Sequence, residues 1–281
     1  MHLGNVFSAL LSWLSIKSQG GKWLLRIEDI DPQRSTQIFA DQIMADLEWL
    51  GLTWDEGPYY QSQRGDIYEE QLERLRQQGI LYYSYKTRAE RLAVSAPQSN
   101  GDEKRNGNGD EKESFIQGKN GATTLKVTDE IVVFEDVHYG RQEVNIKEEI
   151  GDFIVRRRDG AWAYQLAVVV DDALMGVTEV VRGRDLLQSA GQQMYLGGLL
   201  GLPKMQYAHL PLLCNDAGQR LSKRDKSMDL GQLSQQYSAE EIIGKLAFLA
   251  HLTDKKEPCS PSELVSLFDW KKVPYDDIRL S

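Results

Sequence analysis

The chain is 281 residues long, enough for one large domain or two smaller ones, with 41% hydrophobic and 27% charged residues. No apolar run is long enough to span a bilayer, and the start lacks the basic region and cleavage site of a signal peptide, so a soluble protein without a membrane partner is expected. The net charge of -9 argues against indiscriminate nucleic-acid binding but leaves room for a local basic face, and Cys214 and Cys259, far apart and outside any pairing motif, predict free thiols in a reducing cytoplasm.

The opening stretch MHLGNVFSALLSWL places Val6, Phe7, Leu10, Leu11 and Leu14 at helical spacing, with Asn5 as the expected N-cap. A helix N-terminus offers free N–H groups and partial positive charge, so the turn His2-Leu3-Gly4-Asn5 can hold a phosphate chain, Gly4 allowing close backbone approach. A capped amphipathic helix with a solvated histidine fits the same residues. Gly20-Gly21 makes a turn, and residues 22–27 read as a buried strand that delivers Glu28, Asp29 and Asp31 at its C-terminal end, where open α/β sheets bind ligands. Those carboxylates equally suit capping of the next helix. Residues 35–50 and 63–78 read as amphipathic helices, and GPYYQSQR between them as a loop with exposed aromatics.

Between residues 95 and 121 the composition turns to Gly, Asn, Asp, Glu and Lys, with Gly101-Asp102-Glu103-Lys104 echoed by Gly109-Asp110-Glu111-Lys112. So polar a segment cannot bury enough apolar surface to offset its ordering entropy, and it reads as a mobile loop. Residues 123–146 alternate β-formers, predicting a small antiparallel insertion, and the β pattern resumes through 151–183, where the unbroken apolar run 166–170 reads as a strand covered on both faces. A helix over 185–200, a short strand over 207–213 and helices from about 238 complete the chain.

Residues 219–226 hold Arg220, Lys223, Arg224 and Lys226 against one acid, Asp225. Taken alone this is a solvated charge run. Ser222-Lys223, however, follows Gly218 and lies between a strand and a helix, the setting in which a loop lysine closes over a polyphosphate. The pair HLGN and RLSKR resembles the HIGH-type turn and KMSKS-type loop of class I aminoacyl-tRNA synthetases. GGKWLLRIEDIDPQRS, WLGLTWDEGPYYQSQR, DGAWAYQLAVVVDDALMGVTEVVRGRDLL and HLPLL narrow the resemblance to the glutamyl subgroup, over most of the chain outside 95–121.

The resemblance implies an α/β fold: a Rossmann-like class I catalytic domain with an inserted small α+β subdomain and a helical C-terminal segment. Residues 1–80 would form its first half, 81–150 the insert, 151–237 the second half with the KMSKS-type loop at 220–224, and 238–281 the helical segment. It assigns ATP to His2, Gly4, Asn5, His209, Ser222, Lys223 and Arg224, with His2 and Lys223 catalytic and Lys223 stabilising the leaving pyrophosphate. Glu28 would meet the substrate ammonium, and Tyr164 and Arg182 the glutamate carboxylates, for which arginine supplies a bidentate fork. The implied reaction is in-line attack of the glutamate α-carboxylate on the α-phosphorus of ATP, with Mg²⁺ as counter-ion and no covalent enzyme intermediate.

Because the chain stops soon after 220–224, it looks most like the short paralogue family, the glutamyl-queuosine tRNA(Asp) synthetases, which lack the anticodon-binding region of longer glutamyl enzymes. A monomer acting on glutamate and on queuosine-bearing tRNA(Asp) is then expected. Arg156, Arg157 and Arg158 suit an RNA backbone or, equally, a solvated strand edge. The catalytic part of an ordinary glutamyl-tRNA synthetase and a non-catalytic RNA-binding paralogue are the alternatives. Two departures stand out. Ser84 and Lys86 occupy the places of a Cys-x-Cys pair ahead of Arg88-Ala89, so no zinc is expected. Relatives also carry a strand and a Pro-Ser turn before the histidine, so Met1 is expected to be internal to the motif, with the sheet's first strand and part of the glutamate pocket missing.

Overall fold

In the computed structural model, which describes residues 1–31, 35–85, 121–221 and 229–280, helix α1 (Leu3–Ser18) buries Val6, Phe7, Leu10, Leu11 and Leu14 on the expected stripe. Its N-cap is His2 rather than Asn5. The His2 ring accepts from the Asn5 amide at 3.3 Å, taking the part that a short polar side chain usually plays.

Strand β1 (Leu24–Ile27) is followed by α2 (Gln37–Trp49), then by β2 (Glu56–Tyr60) parallel to β1, and by α3 (Gly65–Gln77). The stretch GPYYQSQR is therefore a strand running into a 3-10 turn, Gln61–Gln63, and not a loop. Gly57 makes this possible: its φ is +103°, and a Cβ there would stand 2.3 Å from the Leu25 carbonyl oxygen. Only glycine passes β1 at that break in register.

Strands β3 (Leu81–Ser84) and β4 (Ala122–Leu125) run antiparallel, and β5 (Ile131–Asp136) and β6 (Gly140–Asn145) form the antiparallel hairpin expected within 123–146. Strand β7 (Phe153–Arg156) completes a sheet of order β3-β4-β7. The expected mobile loop lies, but for Gly121, outside the described residues.

The run 166–170 is not a strand. It belongs to helix α4 (Tyr164–Leu174), in which Leu166, Ala167, Val168, Val169 and Val170 are all buried. A helix covered on every side is apolar all round, so no period distinguishes it from a buried strand. The covering comes from α3, β7 and the helix α5 (Leu187–Leu199). Between α4 and α5 lies β8 (Glu179–Gly183), which pairs in parallel with β9 (Gln206–Leu210) in a sheet of order β6-β5-β9-β8.

Past Pro211 the chain forms β10 (Leu213–Cys214) and, further on, α6 (Leu230–Leu233) and α7 (Ala239–Leu249), the last started by a Ser238–Glu241 capping box. The tail is less helical than expected. After α8 (Pro261–Leu264) it turns back as β11 (Ile278–Arg279) alongside β10, because the Ile278 amide finds the Leu212 carbonyl at 2.9 Å. The β1–β2 pair and the four-stranded sheet are not hydrogen-bonded to each other. Among the described residues no helix is long and apolar enough to cross a membrane.

Candidate active site

A cleft of about 600 Å³ opens between the start of α1, the C-terminal end of β1 and β8. It gathers His2, Gly4 and Asn5 from the first, Arg26 and Glu28 from the second and Arg182 from the third. The first turn of α1 carries no acidic residue, so its positive end faces this space without a neutralising side chain of its own. Gly4 leaves room for the His2 ring: a Cβ there would lie 3.2 Å from His2 Cε1 and Nδ1.

Glu28 is held by charge. Arg26 Nη2 donates to Glu28 Oε1 at 3.3 Å while Nη1 donates to Asp172 Oδ1 at 2.5 Å. Desolvation pushes the Glu28 carboxyl above the usual carboxylate range, and Arg26 offsets only part of that push. Asp172 is raised by burial in the same way. Burial also works against the Arg26 charge, but Asp172 and Glu28 outweigh it and hold the guanidinium above its ordinary value. Tyr164, the first residue of α4, has its phenol pushed up by burial and then by Glu28, with Arg182 pulling the other way, which puts all three groups within one electrostatic neighbourhood.

Next to Asp172, the buried Asp171 accepts from Arg64 Nε at 2.6 Å, Tyr68 Oη at 2.6 Å and Gln61 Nε2 at 2.8 Å. Arg182 is 9% exposed and its Nε donates to His209 Nε2 at 3.1 Å. His209, expected near the nucleotide, is fully buried behind Arg182 and does not line the cleft. Sequence patterns put it at the right strand end but give no sign of which way the ring turns.

Ser222, Lys223 and Arg224 lie outside the described residues, and what can be placed is the pair of roots on either side. Arg220 is ion-paired with Asp185, Leu221 is buried in the cleft wall, and Asp229 forms an antiparallel bridge with His2. The far root is thus tied to the HIGH-type turn, and the near root lines the same cleft. The arginine run is largely neutralised within the fold. Arg156 pairs with Glu69 and lies 4.5 Å over the Trp162 ring, Arg157 bonds Asp31 and Asp159, and Arg158 is exposed. Ser84 ends β3 and is buried; Lys86 is outside the described residues.

Motif reading missed Arg26 and Asp172, which line the cleft, and Gln193 and Asp136, which back it through hydrogen bonds to Arg182 and His209. Two of them had a signal: Arg26 interrupts the apolar run WLLRI, and Asp171-Asp172 closes LAVVV. A charge inside an apolar run is expected to be paired.

Parallel strand ends and a helix N-terminus converging on one cleft define the nucleotide-binding class of α/β domain. The family model for tRNA synthetases class I (E and Q), catalytic domain, matches residues 1–274, and the chain belongs to that family. It is thereby a ligase of the class I tRNA synthetase type. It is 41% identical to a Glutamyl-Q tRNA(Asp) synthetase of Symbiobacterium thermophilum, covering 100% of this chain and 92% of the relative. A Glutamyl-Q tRNA(Asp) synthetase of Nitratidesulfovibrio vulgaris is 40% identical over 98% of this chain and 90% of its own. The crystal structure of a glutamate tRNA ligase from Elizabethkingia meningosepticum in complex with its amino acid superposes with a TM-score of 0.80 at 27% identity. That similarity covers 100% of this chain and 64% of the ligase, just under two thirds of its length.

Proposed function

We propose that the chain activates glutamate with ATP and transfers the glutamyl group to queuosine in the anticodon loop of tRNA(Asp). The observation that carries this is the joint lining of one cleft by the start of α1, Glu28 and Arg182, with Leu221, on the near side of 222–228, in its wall and Asp229, on the far side, bridged to His2. Similarity to proteins named Glutamyl-Q tRNA(Asp) synthetase over nearly their whole length supports the choice of amino acid and RNA.

In this reading the glutamate ammonium meets Glu28, and its carboxylates meet Arg182 and Tyr164. ATP enters as its Mg²⁺ complex, as substrate, with its phosphates at His2, Gly4 and Asn5. The α-carboxylate oxygen attacks the α-phosphorus in line, the bond to the bridging oxygen breaks, and pyrophosphate leaves against Lys223, flanked by Ser222 and Arg224. A hydroxyl of queuosine then attacks the acyl carbonyl, loses its proton and releases AMP. Residues 1–80 and 151–237 are the two halves of the catalytic domain, 81–150 the segment inserted between them, whose β5–β6 hairpin joins the sheet of β8 and β9, and 238–281 a C-terminal segment. The protein works as a cytoplasmic monomer, and zinc takes no part, since the hydroxyl of Ser84 and the ammonium of Lys86 cannot replace two thiolate ligands.

Labelled glutamate, ATP and queuosine-bearing tRNA(Asp) test the reading directly: label is expected on the anticodon loop. The likeness to a glutamate tRNA ligase favours a second reading, in which label goes to the 3′ end of tRNA(Glu), and that result would overturn the first.

A further inference from the structure

Three neighbouring strands of the four-stranded sheet each send one polar side chain into a single buried row. Asp136 ends β5, His209 lies on β9 and Arg182 on β8, and Arg182 and His209 are register partners. His209 Nδ1 is 2.6 Å from Asp136 Oδ2, and neither side chain has any exposed surface. Asp136 also accepts from the amides of His138 at 3.0 Å, Tyr139 at 2.9 Å and His209 at 3.2 Å, so its own position is fixed by backbone.

Protonation states follow from donor chemistry. A guanidinium only donates, so the His209 nitrogen facing Arg182 Nε must be bare, and the ring proton sits on Nδ1, where a carboxylate can accept it. An imidazolium would set N–H against N–H. Arg182 Nη1 donates to Gln193 Oε1 at 2.8 Å and Nη2 to the Leu186 carbonyl at 3.3 Å. Of the five guanidinium donors, these contacts among the described residues leave one on each terminal nitrogen, and Arg182 lines the cleft.

We infer that Asp136 is a positioning residue for glutamate activation: through the His209 tautomer it fixes the Arg182 guanidinium so that its two remaining donors receive the substrate carboxylate. This rests on the proposed role of Arg182 and adds how that role is enforced from a residue that touches no substrate. Asparagine at 136 can present an amide donor to Nδ1, which moves the ring proton to Nε2 and turns an attraction to Arg182 into a repulsion.

The test is ATP–pyrophosphate exchange at varied glutamate and varied ATP. Asp136→Asn is expected to raise the glutamate KM about tenfold or more while the ATP KM stays within about twofold, the scale of one hydrogen bond to a charged group. In a His209→Gln background, where an amide oxygen can accept from Arg182 Nε with no tautomer to control, adding Asp136→Asn should raise the glutamate KM no further. An unchanged glutamate KM in Asp136→Asn, or equal rises for both substrates, overturns the inference. With Arg182→Ala as reference, a defect there beside a normal Asp136→Asn defeats the positioning role alone, whereas a normal Arg182→Ala defeats the carboxylate reading and this inference with it. On the unsubstituted chain, ¹⁵N shifts of His209 should show a protonated Nδ1 and a bare Nε2. The opposite tautomer or an imidazolium overturns the inference whether or not the variants fold.

Discussion

Asp229 is bridged to His2, and the Leu230 amide donates to the Met1 carbonyl at 2.7 Å. The far root of residues 222–228 is therefore fastened to the turn proposed to hold the phosphates, while the near root, Leu221, is buried in the cleft wall. Lys223→Ala should slow ATP–pyrophosphate exchange by roughly 100-fold or more, about 3 kcal/mol of lost charge stabilisation in the transition state. Glutamate binding, measured by calorimetry without ATP, should be unchanged. Loss of both together would mean that the lysine serves the fold and not the leaving group.

Arg26 is the counter-charge of a buried acid. Replacing it with methionine strands Asp172, which burial already disfavours as an anion, and should cost about 3–5 kcal/mol in urea unfolding. The double variant Arg26→Met/Asp172→Leu should recover most of that stability, since no unpaired charge remains, yet still bind glutamate weakly because Glu28 has lost its partner. Full recovery of binding would separate Arg26 from the site.

How far these features are legible without coordinates depends on whether their cause is local. Helices α1 and α3 declare themselves because one face is wet and the other dry. Helix α4 does not, because neighbours cover it all round, and its apolar run then matches a strand equally well. Strand β2 is hidden for a different reason: Gly57-Pro58 carries turn residues, and only the approach to Leu25 explains why glycine is there. Motifs likewise point to His2, Glu28 and Arg182, which line one cleft, but they do not show the contact of His209 with Asp136, 73 residues away on another strand.

The pH dependence of substrate binding should follow Glu28. Its folded carboxyl is raised above the usual range, so the anion needed by an ammonium is lost earlier than an ordinary glutamic acid would lose it as pH falls. Glutamate affinity should drop with an apparent midpoint above the usual carboxylate value, and Glu28→Gln should bind weakly with that dependence gone. For stability the sign is the reverse. A raised folded value contributes below the unfolded one and loses that contribution as pH rises through the folded one, so the stability contribution of Glu28 is greater in acid than at neutral pH.

Asp136 runs the other way. Burial alone would raise it, but the donors from His209 and the Tyr139 amide outweigh that and hold its carboxyl below the usual range. Its contribution is present above the unfolded value and lost as pH falls through the lower folded one. In an acid titration, loss of glutamate affinity should therefore precede the loss of the Asp136–His209 contact, followed by the His209 ¹⁵N signals. Simultaneous loss would refute this order.

On the RNA side, Arg158 is exposed, whereas Arg157 already bonds Asp31 and Asp159. If this edge meets the tRNA backbone, Arg158→Ala should lower the slope of log binding constant against log salt by about one, and Arg157→Ala should change it less. Unchanged slopes in both variants would return the run to a solvated strand edge.

Adjacent on α4, Asp171 and Asp172 serve opposite neighbours. The first clamps α3 and the Gln61–Gln63 turn, and the second clamps β1 through the arginine that also holds Glu28. With Glu28 in its proposed role, structural integrity and amino-acid choice share the same bonds. A lineage could not trade one substrate for another by exchanging exposed cleft residues alone: a new acid or base at position 28 would leave Arg26 with an altered partner and pass the imbalance into the core. Any workable change of substrate would have to arrive as a linked set of substitutions across β1 and α4, which makes the preference slow to drift once established.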